Sequence, residues 1–209
     1  MILGVKHIIF DLGGVLLNID YQLTEDAFVA AGVTNFREIY SQMQQTPLFD
    51  QFEMGKIGRD EFIASMQSLS GAQLTAQQVV DCWNALLLHF PIRRLQILQQ
   101  LRNYYDLYLL SNTNEIHEEA FNKILSRDHG MPGLGVFFDQ VYFSHRVGLR
   151  KPMPEIFEMV LNDHGLQAAE TLFIDDSPQH IEGAKKVGLQ TIYLEKGMTI
   201  EKDIFRPKQ

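Results

Sequence analysis

At 209 residues the chain is long enough for one good core, or for a core domain with a smaller accessory domain. A formal net charge of -8 with no dense basic stripe argues against a nucleic-acid partner and leaves small anionic ligands open. The single cysteine, Cys82, allows no intramolecular disulfide and suits a reducing compartment. The N-terminal apolar run is too short for a signal peptide, and no stretch approaches the roughly 18 apolar residues of a membrane span. A cytoplasmic protein with no membrane partner is expected.

In chain order, His7-Ile8-Ile9-Phe10 reads as a buried strand that stops at Asp11 and a glycine pair, Gly13-Gly14. The segment from Asp20 to Leu88 has no convincing strand. It offers short amphipathic helices over 22–31, 36–44, 47–54, 59–70 and 75–88, with breaks at Gly32, Pro47, residues 55–58 and Gly71. Roughly 65 residues is too long for a loop inside a compact α/β unit, so a helical domain inserted after the first strand is expected. Pro91–Leu101 leads back as a crossover helix. Strands are then expected at 106–111, 141–144, 171–175 and 190–194. Helices are expected at 154–164, with Pro154 in the first turn, and at 178–187 before Gly188. The tail from Arg206 to Gln209 reads as loose. Strands alternating with helices predict an α/β fold, a doubly wound Rossmann-like parallel sheet. The expected division is an α/β core over 1–19 and 90–209 with a helical cap over 20–89.

Open parallel sheets bind ligands at the carboxyl ends of their strands. Four such ends carry distinctive residues: Asp11; Ser111-Asn112; Lys151, just past the third strand; and Asp175-Asp176. The carboxylates are hard oxygen donors of the kind that hold Mg²⁺ together with a substrate phosphate. Ser111 and Asn112 are donors for a tetrahedral anion, and Lys151 supplies a point positive charge. The set fits phosphoryl transfer through an aspartyl-phosphate. Capping by Asp175-Asp176 before Ser177-Pro178 and plain turn chemistry at Ser111-Asn112 are alternative uses of the same residues.

Together, Phe10-Asp11-Leu12-Gly13-Gly14-Val15, Leu110-Ser111-Asn112-Thr113-Asn114, Gly148-Leu149-Arg150-Lys151-Pro152 and Phe173-Ile174-Asp175-Asp176-Ser177-Pro178 resemble the haloacid dehalogenase superfamily. They come in family order, span nearly the whole chain, and look closest to a sugar-phosphate branch that includes α-D-glucose-1-phosphate phosphatases. The resemblance implies a helical cap and a Mg²⁺-dependent phosphatase of a small phosphorylated metabolite; whether as a monomer or homodimer the sequence leaves open. It implies that Asp11 is nucleophile and metal ligand and that the Gly13 carbonyl is a backbone ligand. It further implies that Asp176 holds the metal and that Asp175 assists directly or through water. Ser111 then matches the phosphoryl-binding hydroxyl, with Asn112 beside it, and Lys151 matches the phosphate-binding lysine.

One position departs from the commoner pattern: Gly13 stands where many phosphatases of the superfamily carry a general acid/base aspartate, a contribution typically worth roughly 10²–10⁴-fold. Asp20 or a cap group near His117 is a conceivable substitute. Rival readings are a metal-independent 2-haloacid dehalogenase, a mutase, and a catalytically weak phosphosugar-binding protein. Cys82 beside Trp83 reads as buried packing. Phe28, Phe36, Tyr40, Phe49, Phe52 and Phe62 read as cap core, His117 as a cap or surface residue, and the 55–58 turn as surface loop.

Overall fold

The computed structural model describes residues 2–38, 40 and 48–206. The end of the expected 36–44 helix, the Pro47 break and the tail beyond Arg206 lie outside the described residues.

Five parallel strands form one sheet: β1 (His7–Phe10), β2 (Asp106–Ser111), β3 (Gln140–Phe143), β4 (Thr171–Asp175) and β5 (Gln190–Tyr193), in the order β3-β2-β1-β4-β5. β1 is central. Its side chains alternate between two apolar layers, as a strand covered on both faces requires. Ile8 and Phe10 enter one cluster with Leu95, Leu98, Phe121 and Leu125. Ile9 enters the other with Ile156, Phe157, Val160 and Ile181. Those layers belong to α5 (Ile92–Leu101) and α6 (Glu115–His129) on one face, and to α8 (Pro154–His164) and α9 (Pro178–Lys186) on the other. Phe10 pairs with Leu109 on one side and Ile174 on the other. That register sets Asp11 level with Asp175, and the Asp11 N–H donates to the Ile174 carbonyl at 2.9 Å.

Helix α6 was not among the expected elements. Its signals are local: the Asn114 side chain accepts from the His117 N–H, acids occupy the first turn, and Gly130 closes the helix at φ 65°. Ile116, Phe121 and Leu125 form its buried stripe.

Between β1 and α5 lie α1 (Tyr21–Ala30), α2 (Leu48–Glu53), α3 (Arg59–Ser70) and α4 (Ala76–Asn84). α4 ends earlier than the expected 75–88 helix because the following backbone pairs with the opposite linker. The Asp20 N–H donates to Leu86 O and the Leu88 N–H to Asn18 O, so the two linkers form a short antiparallel ribbon. The helices share a second apolar cluster holding Phe28, Phe36, Phe52, Phe62, Val79 and Trp83. The rings stack, Phe52 on Phe62 at 4.1 Å and Phe49 on Trp83 at 5.3 Å. Cys82 is buried in this packing, which pushes its thiol up. Ile116, from α6, is buried in the same cluster, so these helices complete their apolar core with a residue from the sheet side.

Replacing Ile116 with Ala removes that shared residue. The expected loss is about 2–5 kcal/mol, read from urea unfolding, with faster amide exchange in α3 and α4 than in β1. Unchanged exchange in α3 and α4 would contradict the packing argument.

Candidate active site

All four strand-end motifs meet at one edge of the sheet. Lys151 is fully buried, and its Nζ lies 2.5 Å from Asp11 Oδ1 and 2.7 Å from Asp175 Oδ2. The Phe173 ring lies beneath the ammonium at 5.3 Å. An ammonium out of water needs such partners, because the desolvation cost is several kcal/mol.

The backbone of Lys151 is held as firmly as its head group. The Asn112 amide donates to the Lys151 carbonyl and accepts from the Lys151 N–H, both at 2.9 Å. The Asn112 side chain thus brackets the lysine. The next loop residue, Thr113, exchanges hydrogen bonds with the Ser144 hydroxyl at 2.9 and 3.0 Å. Ser144 opens α7 (Ser144–Val147) at the end of β3. Ser111 is buried, and its hydroxyl has only a long contact of 3.4 Å to the Asn112 carbonyl.

Asp11, Asp175 and Asp176 bring carboxylate oxygens within 4.8 Å of one another, the one cluster of potential metal-binding acids, histidines or cysteines among the described residues. Gly14 allows this approach. It sits at φ 76°, and a Cβ there would run into the Asp176 carboxylate. Asp175 is saturated: Lys151 and His180 reach Oδ2 at 2.7 and 3.0 Å, and the Ser177 N–H reaches Oδ1 at 2.7 Å. Burial would raise its pKa, yet Lys151 and His180 outweigh burial and hold it at about 2. Asp11 goes the other way. Burial, with Asp175 and Asp176 adding like charge, pushes it up to about 7 despite Lys151. Three carboxylates face one ammonium, so the cluster is short of positive charge. A divalent cation fits that deficit.

Asp11, Gly13, Ser111, Asn112 and Asp176 open onto a cavity of about 1000 Å³ roofed by the inserted helices. Several features here escaped the sequence reading. His180 pairs with Asp175 from one turn into α9, a spacing visible only once the helix start is known. Arg150 reaches up to Asp50, and its Nη2 lies 2.8 Å from Glu53 Oε2, tying α2 to the loop that carries Lys151. Burial raises the Glu53 pKa, with Arg150 opposing it. His117 lines the cavity. Its Nε2 lies 3.1 Å from the Trp83 carbonyl and its Nδ1 3.1 Å from the Asn114 amide, and its ring stacks on Trp83 at 5.2 Å. Burial lowers its pKa to about 4. Asp20, considered above as a substitute acid, caps α1 by accepting from the Gln22 N–H at 3.0 Å. The 55–58 turn is a docking contact, since Gly55 packs against the His145 carbonyl.

A parallel sheet with an acid-and-lysine cluster at its carboxyl edge and a helical roof defines an α/β enzyme of the strand-edge type. The haloacid dehalogenase-like hydrolase family profile matches residues 5–188, and the chain belongs to that family. D-ribitol-5-phosphate phosphatase of Bacteroides thetaiotaomicron is 34% identical over 194 residues, 92% of this chain and 93% of that protein. A sesquiterpene phosphatase of Aspergillus oryzae is 28% identical, covering 90% of this chain and 89% of its own length. A crystal structure of a haloacid dehalogenase family enzyme from B. thetaiotaomicron, in complex with magnesium and inorganic phosphate, superposes with a TM-score of 0.82 at 33% identity, covering 93% of this chain and 96% of that one.

Two outcomes test the geometry. Lys151→Met leaves Asp11 and Asp175 buried without their cation and is expected to cost about 3–5 kcal/mol at neutral pH, measured by urea unfolding. His117 takes a proton near pH 6.5 when unfolded and only near 4 when folded. The unfolded state therefore binds more protons in that window, and stability falls as pH drops through it, by about 3 kcal/mol in total. His117→Asn should flatten the fall between pH 6.5 and 4 relative to wild type. Equal slopes would contradict a buried neutral imidazole.

Proposed function

We propose that this chain is a Mg²⁺-dependent phosphomonoester hydrolase of a small phosphorylated metabolite, of sugar- or polyol-phosphate type, working through an aspartyl-phosphate on Asp11. The observation that carries the reading is the Lys151 ammonium placed between Asp11 and Asp175 with Asp176 beside them, at the floor of a roofed cavity. The similarity to a D-ribitol-5-phosphate phosphatase along nearly the whole chain supports the substrate class. In this reading residues 1–19 and 90–209 are the catalytic core, and 20–89 are the cap that selects the leaving group.

Asp11, Asp176 and the Gly13 carbonyl would hold the cation, and Asp175 would act from behind through its contacts with Lys151 and His180. The cation, when bound, neutralises charge on the phosphoryl oxygens. Ser111 and Lys151 bind those oxygens from the protein side, and Asn112 sets the height of Lys151. Asp11 Oδ attacks phosphorus in line, and the ester oxygen leaves with its electron pair. Water then hydrolyses the acyl-phosphate and returns Asp11. The roof keeps bulk water from the transferring group. The acid cluster that suits a cation favours this reading over a metal-independent haloacid dehalogenase.

Asp11→Asn is expected to reduce turnover of a sugar-phosphate panel by roughly a thousandfold or more, with the native circular dichroism spectrum retained. EDTA should abolish wild-type activity on p-nitrophenyl phosphate, and Mg²⁺ should restore it. Activity that survives EDTA, together with halide release from a 2-haloacid, would overturn the phosphatase reading.

A further inference from the structure

Position 13 carries no side chain, and the Ile19 side chain stands close over it. A Cβ on Gly13 would stand 3.1 Å from Ile19 Cδ1. The cavity thus has an apolar cover where an acid would otherwise assist the departing alcohol. A donor to that alcohol has to come from elsewhere on the cavity wall, and the ionisable candidates are mostly committed. His117 is held by Trp83 and Asn114, His180 by Asp175, and Glu53 by Arg150.

Tyr21 differs from all three. It is the first residue of α1, directly behind the Asp20 cap and two residues beyond Ile19. It therefore sits at the root of the cap, where the linker ribbon fixes the backbone. Tyr21 lines the cavity and is still 66% exposed. Among the described residues no hydrogen bond to its hydroxyl is formed, and Asp11, Asp176, Tyr40 and Glu53, which line the same cavity, all act on it electrostatically. A phenol on the wall of the cavity that Asp11 also lines is a hydrogen-bond donor available to a substrate there.

We propose that Tyr21 is a substrate-contacting residue whose O–H donates a hydrogen bond to the ester oxygen of the leaving group. The inference rests on the phosphatase reading above. As the Asp11 oxygen bonds to phosphorus, the P–O ester bond breaks and its electron pair stays on the alcohol oxygen. Tyr21 stabilises that developing charge by hydrogen bonding, and water supplies the proton that completes the alcohol. The phenol keeps its own proton throughout, so it is a hydrogen-bond donor and not a general acid.

The test compares wild type with Tyr21→Phe, which keeps the ring, on two substrates in Mg²⁺. One is an aliphatic polyol phosphate such as D-ribitol 5-phosphate, whose alkoxide needs help in leaving. The other is p-nitrophenyl phosphate, whose phenolate delocalises its own charge. Because kcat/KM reports the steps through alcohol departure, Tyr21→Phe is expected to lower it about 10–100-fold for the aliphatic ester, the range of a hydrogen bond to a charged group. The aryl ester should change by less than about threefold, with the unfolding midpoint unchanged. An equal loss on both esters, or no loss on the aliphatic one, overturns the proposal. Wild-type protein inactive on both esters would reject the phosphatase reading itself, and the Tyr21 assignment with it.

Discussion

A lysine ammonium with no exposed surface is the constraint on which the rest of the molecule depends. Stripping water from Lys151 costs several kcal/mol unless carboxylates stand within hydrogen-bond reach. Asp11 and Asp175 meet that need only because β1 and β4 run parallel and in a register that sets their ends level. β2 lies on the other side of β1 and delivers Asn112 to the lysine backbone. Three strands far apart in sequence are thereby tied to one lysine, two at its Nζ and one at its backbone. Removing the lysine would leave like charges crowded in a low-dielectric space, while removing one acid would strand a cation. The arrangement is costly to build and holds together through mutual satisfaction of its charges. Burial first, and then the like charge of Asp175 and Asp176, push the Asp11 pKa up despite Lys151.

The cap docks on the loops that build this cluster. Arg150, next to Lys151, holds Asp50 and Glu53 of α2. Glu115 accepts from the Arg59 backbone N–H at the start of α3, and Glu119 pairs with the Arg59 side chain at 2.7 Å. Gly55 lies against the His145 carbonyl, and Ile116 is buried among cap side chains. Each core-side partner follows β2 or β3, the strands that lead into Ser111 and Lys151. Cap position and lysine position therefore share a scaffold. Ion pairs at a surface are individually weak, but here they flank an apolar contact and fix its register. Their role is alignment more than stability.

Much of this was legible in the chain. The strands β1, β2 and β4 end where apolar runs meet Asp11, Ser111 and Asp175, because a sheet covered on both faces needs continuous apolar residues and a polar stop. The insertion was legible as a length no loop could bear. Helix α6 was missed although Ile116, Ala120, Phe121, Ile124 and Leu125 recur at helical spacing, because dense charges between them masked the stripe. The end of α4 was missed for a different reason. Leu86 and Leu87 continue a helical pattern, and only pairing with residues 18–20 unwinds them. Contacts of this kind depend on what the fold brings opposite. The same holds for His180 on Asp175, Arg150 on Glu53, and the Asn112 amide on the Lys151 backbone.

Gly13 shows why a single site position is poorly judged alone. In the sequence it is an absence, a place where an acid could stand. In the structure it is a place already covered, because Ile19 Cδ1 approaches to 3.1 Å of where a Cβ would be. Ile19 belongs to the linker ribbon. Its backbone bridges Leu87, and hydrogen bonds on either side, from Asp20 to Leu86 and from Leu88 to Asn18, close the ribbon around it. An aspartate introduced at position 13 would press on the Ile19 Cδ1 methyl, and would then lie against the crowded acids of a cluster already short of cations. Packing and electrostatics both oppose it. The glycine, the isoleucine over it and the linker ribbon therefore form one unit, and the chemistry available above Asp11 is set by the hinge of the cap as much as by the motif that carries the nucleophile.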